Sequence, residues 1–339
     1  MRRFQRAASD GVRVATYNVL SSALCEATGS YGFARCNAAD LDGERRFARV
    51  ERKLAAQMEL GSVLALQEIS RDWLARLLPL WEARGYAHAA ALSGSARSGH
   101  MGQCIAWPRE RFELREVATP RIGATMAGFR EEEHGASGSW KEALSRHNCA
   151  AMVRLRPRDD PAQRDLCFAN YHMPCAFGSD ERCQVVVAHA ALLLQHVQRW
   201  ARSDALVVLG DFNFDPRSAA YDLVVRGAVA PDHPQRPPPA PWAPAWDPSA
   251  VEPMRSAYVE GLGEEPEFTN YSHTGEVGVG PAEAFCETLD YIFISPHWSV
   301  ADVEALPTKA ALASDRIASY PSADEPSDHL MLGAELTLQ

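Results

Sequence analysis

Six short polar clusters sit at the ends of apolar runs in this chain of 339 residues. Thr16-Tyr17-Asn18, Leu66-Gln67-Glu68, Asn170-Tyr171-His172 and Leu209-Gly210-Asp211-Phe212-Asn213 each close such a run. Leu289-Asp290-Tyr291 opens another, and Ser327-Asp328-His329 stands just before the last. Taken singly each is ordinary, since a Glu after a strand is more often a helix cap and a His a satisfied loop residue. Six in one chain point to a sheet scaffold that presents reactive groups at its strand ends.

The residue types suit hydrolysis of a phosphate ester. That reaction needs a hard divalent cation held by oxygen ligands, a group that orients or deprotonates water, and donors for the crowded phosphoryl group. Glu68 offers a carboxylate to the metal, Asn18 an amide oxygen, and Asp328 a further carboxylate. Asp211 suits the water, and Asn213, two residues on, shares its strand-end face and can donate to phosphate. His329 would contact a phosphate oxygen, with Asp290 setting its tautomer and orientation, the carboxylate–imidazole logic of hydrolytic triads. His172 is a further phosphate donor.

Positioning these groups requires an alternation of strands and helices. Val12–Asn18, Val63–Gln67, Tyr86–Leu92, Gln103–Trp107, Ala150–Leu155, Leu166–Tyr171, Ala205–Leu209, Thr288–Ser295 and Leu330–Leu338 read as strands. Between Glu44 and Glu59, the spacing of Phe47, Val50, Leu54 and Met58 predicts a helix burying one face. Ser70 is positioned to cap a helix with apolar Trp73, Leu74, Leu77 and Leu78. Glu181–Arg202 reads as a long helix, and a short one starts near Ser218. Arg121–Trp140, rich in Gly and charge, is expected to be a long loop or flap near the site. The proline-dense stretch 231–253, with Trp242 and Trp246, is expected to be an irregular surface insertion, with docking of a partner protein as the sharper alternative. Residues 1–11 are expected to form a flexible arm and 12–339 a single domain.

Bulk properties narrow the partners. A composition of 46% hydrophobic residues supports a large layered core, and no apolar run reaches the length of about 20 residues that a membrane span needs. The basic N-terminus has no apolar core behind it, so a secretory leader is not expected, and a cytoplasmic location is. The eight cysteines form no C-x-x-C pair and read as reduced thiols, with Cys104, Cys149 and Cys167 in the core. A formal charge of -10 favours a short substrate or a local basic patch over an extended duplex groove.

In order and spacing, Tyr17-Asn18, Gln67-Glu68, Gly210-Asp211-Phe212-Asn213, Leu289-Asp290-Tyr291-Ile292 and Ser327-Asp328-His329 resemble the endonuclease/exonuclease/phosphatase superfamily. The resemblance spans Val12 to the C-terminus. It implies a four-layer α/β sandwich of the deoxyribonuclease I type, two packed mixed β-sheets flanked by helices, with Mg²⁺ as cofactor and Mn²⁺ as a substitute. Tyr17-Asn18-Val19-Leu20, Arg45-Arg46, Ser256-Ala257-Tyr258 and Phe268-Thr269-Asn270-Tyr271 look most like the nocturnin/Angel-like deadenylase branch. That likeness implies single-stranded RNA or a nucleotide-like substrate, and marks Asn148, in Arg146-His147-Asn148, as a phosphate or nucleotide contact.

Departures from the family pattern cluster around the substrate. Met173 follows His172 where the family has Thr-His-Leu, and Gly102-Gln103-Cys104-Ile105 lacks an expected Asp. A Lys that often precedes that segment is missing, with Arg97 or His100 as stand-ins. The leading expectation is a 3′–5′ exoribonuclease releasing 5′-mononucleotides. The alternatives are a phosphatase of a small metabolite (a dinucleotide or inositol phosphate), a deoxyribonuclease, and a silent binding module, which would lack a core residue.

Overall fold

Inner-face apolar residues and their polar successors organise the architecture. The computed structural model describes residues 11–25, 32–126, 128–129, 138–275 and 283–339; the expected N-terminal arm lies almost wholly outside them, as do residues 130–137 of the expected flap. One six-stranded sheet runs β13-β14-β1-β2-β4-β3 and the other β5-β6-β7-β8-β12-β9. In the first, β1 is Gly11–Asn18, β2 Val63–Ile69, β3 Tyr86–Leu92, β4 Gly102–Pro108, β13 Trp298–Val303 and β14 Leu332–Leu338. In the second, β5 is Phe112–Ala118, β6 Ala151–Pro157, β7 Leu166–His172, β8 Ala205–Asp211, β9 Arg255–Ser256 and β12 Asp290–Ile294. A small ribbon pairs β10 (Asn270–Ser272) with β11 (Phe285–Glu287).

Each central strand is buried on both sides, and its alternate residues enter different cores. Val12, Val14, Val63, Ala65, Leu166, Phe168, Val207, Leu209, Ile292 and Ile294 pack between the sheets. Ala15, Tyr17, Leu64 and Leu66 face the helices α2 (Gly43–Glu59) and α3 (Arg71–Ala83). On the other flank, Cys167, Ala169, Leu206, Val208, Tyr291 and Phe293 lie under α4 (Gly138–Ser145), α5 (Asp180–Ala201) and α6 (Ala219–Arg226). Helix, sheet, sheet, helix is the expected four-layer α/β sandwich.

Caps and stripes account for the helices. Ser70 Oγ accepts from Trp73 N at 3.1 Å and Ser218 Oγ from Tyr221 N at 3.1 Å, closing the first turns of α3 and α6. In α3 the buried stripe is Trp73, Leu77 and Trp81, one residue every fourth position, so Leu78 turns outward and is 44% exposed. Strands β5 and β13 escaped the sequence reading because they are edge strands whose charged residues, such as Glu113, Arg115 and Asp302, break the apolar pattern.

Two expected irregular stretches carry more order than composition suggested. The ends of the expected flap form a 3₁₀ turn at Ile122–Thr125 and helix α4, with Trp140 buried. The 231–253 stretch has no regular structure, as expected, yet it is strapped along α5. Gln184 donates to Pro234 O at 2.8 Å, Gln195 to Asp247 O at 2.8 Å, and Gln198 to Glu252 O at 2.7 Å. Trp242 and Trp246 both stack edge-on against Trp140, with centroids 5.8 and 5.1 Å away. All eight cysteines are free, and Cys149 is half-buried rather than a full core residue.

Candidate active site

The inner-face register of the two sheets runs from Val12 and Val14 to Thr16 and Asn18, from Leu166 and Phe168 to Asn170 and His172, and from Val207 and Leu209 to Asp211. At one end of the sandwich, therefore, the period-2 positions that elsewhere hold apolar side chains become polar. Strand pairing then brings them together: His172 pairs with Asp211 and Asp290 with Asp211. Between the sheets, Gln67 Nε2 donates to Asn170 Oδ1 at 2.7 Å, and Asn170 Nδ2 donates to Leu66 O and Cys104 O at 2.8 and 2.9 Å. This buried amide pair couples the two sheets just beneath the site.

Glu68 reaches the site through a break in the alternation. By parity it would point to the outer face, but its φ of +56° is left-handed and the β2–β4 register shifts between Leu66 and Ile69. Its carboxylate accepts from Asn18 Nδ2 at 3.2 Å and from Ser21 N at 3.0 Å. Asn213 is also left-handed, with φ +49°, and turns back on the strand it leaves. Gly210 must be glycine: a Cβ there would lie 2.0 Å from Tyr171 O of the neighbouring strand.

Asp211 lies at the centre. Its Oδ1 accepts from Asn213 N at 3.0 Å and its Oδ2 from Asn18 Nδ2 at 3.0 Å. His172 Nε2 lies 3.4 Å from the same Oδ2 and His329 Nε2 3.7 Å from it. On the other side of that imidazole, Nδ1 meets Asp290 Oδ2 at 2.8 Å. Thr269 completes the pair: its hydroxyl donates to Asp290 Oδ2 at 2.7 Å and accepts from Leu289 N and Asp290 N at 2.8 and 2.9 Å. Asp328 accepts from Asn270 Nδ2 at 3.3 Å.

The electrostatics follow from burial. Loss of water pushes Asp290 up, to about 6, against the lowering effect of His329, and the nearby Asp211 charge adds to the rise. Burial alone would strip the proton from His329, but Asp290, Asp211 and Asp328 together outweigh it and hold the imidazole well above its ordinary value. The site thus carries a protonated imidazole among carboxylates.

Four carboxylates converge with few cations, a donor set of hard oxygens suited to a divalent metal. Asp211, Asp290 and His329 present ligand atoms all within 4.8 Å of one another, and Asp290 Oδ1 is buried with no hydrogen-bond partner. This grouping differs from the Glu68, Asn18 and Asp328 set expected from sequence. Asn18 turns its NH₂, not its oxygen, toward Glu68 and Asp211, while the oxygen accepts from Leu20 N at 3.0 Å. Asn213 Nδ2 is likewise engaged, donating to Met173 O at 2.9 Å.

A cleft of about 250 Å³ opens beside His172, lined among others by Gln103, Arg146, His147, Asn148 and Cys175. Asn148 Nδ2 donates to His172 O at 2.8 Å, so it braces the cleft wall. The basic groups lining the cleft are Arg146, His147 and His172, whereas the suggested stand-in Arg97 is exposed and His100 half-buried on the loop before β4. Thr269, Ser327, Gln67, Asn170 and Arg46 were given no role from sequence. A Thr, Ser or amide has no distinctive spacing, and only the folded chain reveals what it holds.

The fold is a deoxyribonuclease I-like scaffold, and the chain belongs to the endonuclease/exonuclease/phosphatase family, whose model matches residues 15–329. Members of the nocturnin/Angel-like branch are among the proteins it is similar to. It is 25% identical to Xenopus laevis nocturnin over 94% of this chain and 71% of that protein. It is 24% identical to Bos taurus 2′,5′-phosphodiesterase 12 over 96% of this chain and 51% of that protein. An Arabidopsis thaliana carbon catabolite repressor protein 4 homolog 4 is 27% identical over 57% of this chain and 43% of its own length. The chain thus spans about half the length of the Bos taurus and Arabidopsis thaliana relatives. Among solved structures, ANGEL2 in complex with adenosine-2′,3′-vanadate superposes with a TM-score of 0.72 at 20% identity, covering 96% of this chain and 95% of that one. The human nocturnin catalytic domain with bound sulfate gives 0.63 at 21% identity and 99% of both chains. No helix among the described residues is long and apolar enough to cross a membrane.

Proposed function

We propose that this chain is a Mg²⁺-dependent phosphodiesterase of RNA ends, a 3′–5′ exoribonuclease that releases 5′-mononucleotides. The observation that carries the proposal is the convergence on Asp211 Oδ2 of Asn18, His172 and His329, with Asp290 behind His329. Bound by the carboxylates of Glu68 and Asp328 beside Asp211, Mg²⁺ would neutralise charge on the phosphoryl group. Asn18, as observed, acts as a donor that fixes Glu68 and Asp211 relative to each other.

Each remaining residue has a task that follows from its contacts. Two donors, Asn213 N and Asn18 Nδ2, set the plane of the Asp211 carboxylate, which accepts a proton from the attacking water. The water oxygen adds to phosphorus, the bond to the upstream 3′ oxygen breaks, and that oxygen leaves on the shortened strand and takes a proton from solvent. His329, kept protonated by the surrounding carboxylates, donates from Nε2 to a non-bridging phosphate oxygen, and Asp290 with Thr269 holds its ring. His172, whose Nε2 lies 3.4 Å from Asp211 Oδ2, is a second donor to the phosphoryl group. Asn213 and Asn148 each commit one amide hydrogen to a carbonyl, Met173 O and His172 O, which leaves the second for phosphate.

A second reading, hydrolysis of a small phosphorylated metabolite, is favoured by one observation: the cleft beside His172 is about 250 Å³ and carries Arg146 and His147, room for a nucleotide rather than a polymer. The relatives named above include a 2′,5′-phosphodiesterase and a 2′,3′-cyclic phosphatase, chemistry at the ribose 2′ position. Purified protein with Mg²⁺, offered poly(A), mixed RNA, single-stranded DNA, a nicotinamide dinucleotide phosphate and inositol phosphates side by side, separates the readings. Release of AMP from poly(A) supports the exoribonuclease. Free phosphate from the dinucleotide, with both RNAs intact, overturns it in favour of the second reading.

A further inference from the structure

We infer that Arg46 is a positioning residue that clamps together the segment after Asn18, which holds Glu68, and the segment that carries Asp328 and His329. This rests on the metal-dependent reading above. Arg46 belongs to α2, is not among the residues lining the cleft, and its side chain is fully buried. Its Nε donates to Pro326 O at 2.7 Å, and its Nη2 donates to Val19 O at 2.7 Å and Leu20 O at 2.6 Å. The guanidinium also stacks on Trp73, 5.2 Å from the ring centre.

The three acceptors are not arbitrary. Val19 and Leu20 directly follow Asn18 and lead to Ser21, whose N–H holds Glu68 Oε2. Pro326 directly precedes Ser327-Asp328-His329. One planar cation therefore joins the segment that sets Asn18 and Glu68 to the segment that sets Asp328 and His329. Ser327 adds a second tie, donating to Asn18 O at 2.7 Å and accepting from His329 N at 3.2 Å. A buried guanidinium is costly and seldom a net source of stability. The fork geometry, which can meet two strands' carbonyls at once, explains why an Arg stands where an apolar residue would pack more cheaply.

The test reads metal binding apart from turnover. Mn²⁺ affinity by electron paramagnetic resonance and kcat are measured for wild type, Arg46→Met, Arg46→Lys, Ser327→Ala and Leu54→Ala. Leu54 is a fully buried core residue of the same helix, so its variant reports destabilisation alone. Arg46→Met is expected to weaken Mn²⁺ binding by about 10-fold or more, as loss of a ligand-orienting partner does, and to lower kcat. Arg46→Lys should recover part of both. Leu54→Ala, despite a lowered melting temperature, should retain wild-type Mn²⁺ affinity. If Arg46→Met does not fold, Arg46→Lys and Ser327→Ala read the same clamp, and wild-type Mn²⁺ affinity in both overturns the inference. So does an Arg46→Met that binds Mn²⁺ as Leu54→Ala does. A wild type that binds Mn²⁺ but cleaves no RNA refutes the exoribonuclease instead and leaves the Arg46 comparison readable; one that binds no Mn²⁺ overturns both.

Discussion

Lowering the pH from 7.5 to 4 should remove about 3 kcal/mol of stability through a single residue, His189. This histidine is fully buried in the middle of α5. Its Nε2 faces Ala143 O at 2.8 Å and so carries the proton, leaving Nδ1 to accept from Tyr171 O–H at 2.7 Å. The bond at Nδ1 requires a neutral ring, and burial pushes its pKa down from 6.5 to about 4. Above pH 6.5 neither folded nor unfolded state binds the proton, and the full stability is present. As pH falls from 6.5 toward 4, the unfolded chain takes up a proton that the native state refuses, so stability is lost across that window. At 1.36 kcal/mol per pH unit, a depression from 6.5 to about 4 amounts to roughly 3 kcal/mol. Urea unfolding of wild type and His189→Gln at half-unit pH steps isolates this contribution, because all other titrating groups cancel in the difference. Glutamine can make both hydrogen bonds but cannot be protonated. The gap between the two proteins should be constant above pH 7 and should shift by about 3 kcal/mol against wild type by pH 4. A flat gap from 7.5 to 4 would refute the reasoning.

Three further outcomes are expected. Glu68→Ala should abolish metal-dependent turnover while circular dichroism shows an intact fold; undiminished activity would dismiss the site assignment. His329→Ala should lower kcat by about 10²–10⁴-fold, the usual worth of a positioned proton donor, and Asp290→Asn by less, since its amide oxygen still accepts from the ring; wild-type rates in both would rule out the pair. Asn170→Leu removes the amide donor from Leu66 O and Cys104 O between the sheets, while Gln67 Nε2 keeps Thr16 Oγ1 and Ala65 O. It should cost about 2–5 kcal/mol in denaturant unfolding, from buried groups left unsatisfied, and a loss below 1 kcal/mol would show that water replaces the amide.

Much of the scaffold was legible because central strands of a two-sided sandwich are continuous apolar runs, and because α2 and α5 carry long periodic patterns. Edge strands β5 and β13, half exposed and charged, were not. The 231–253 stretch was correctly read as irregular, but its attachment along α5 depends on side-chain amides meeting carbonyls some 50 residues away, which no local pattern records. By itself the amino-acid order determined that Asp211 and Asp290 stand at strand ends, since the switch from apolar to polar at inner-face positions is written along β8 and β12. Which of their atoms meet was decided by tertiary structure alone. Asn18 offers its nitrogen rather than its oxygen because Leu20 N claims the oxygen, and Glu68 reaches the site only because its backbone turns left-handed. Thr269 and Arg46, unremarkable types in the sequence, acquire their roles from partners that folding brings to them. Hydrogen-bond direction and backbone handedness are consequences of packing two sheets together, and they become visible only when both sheets are in place.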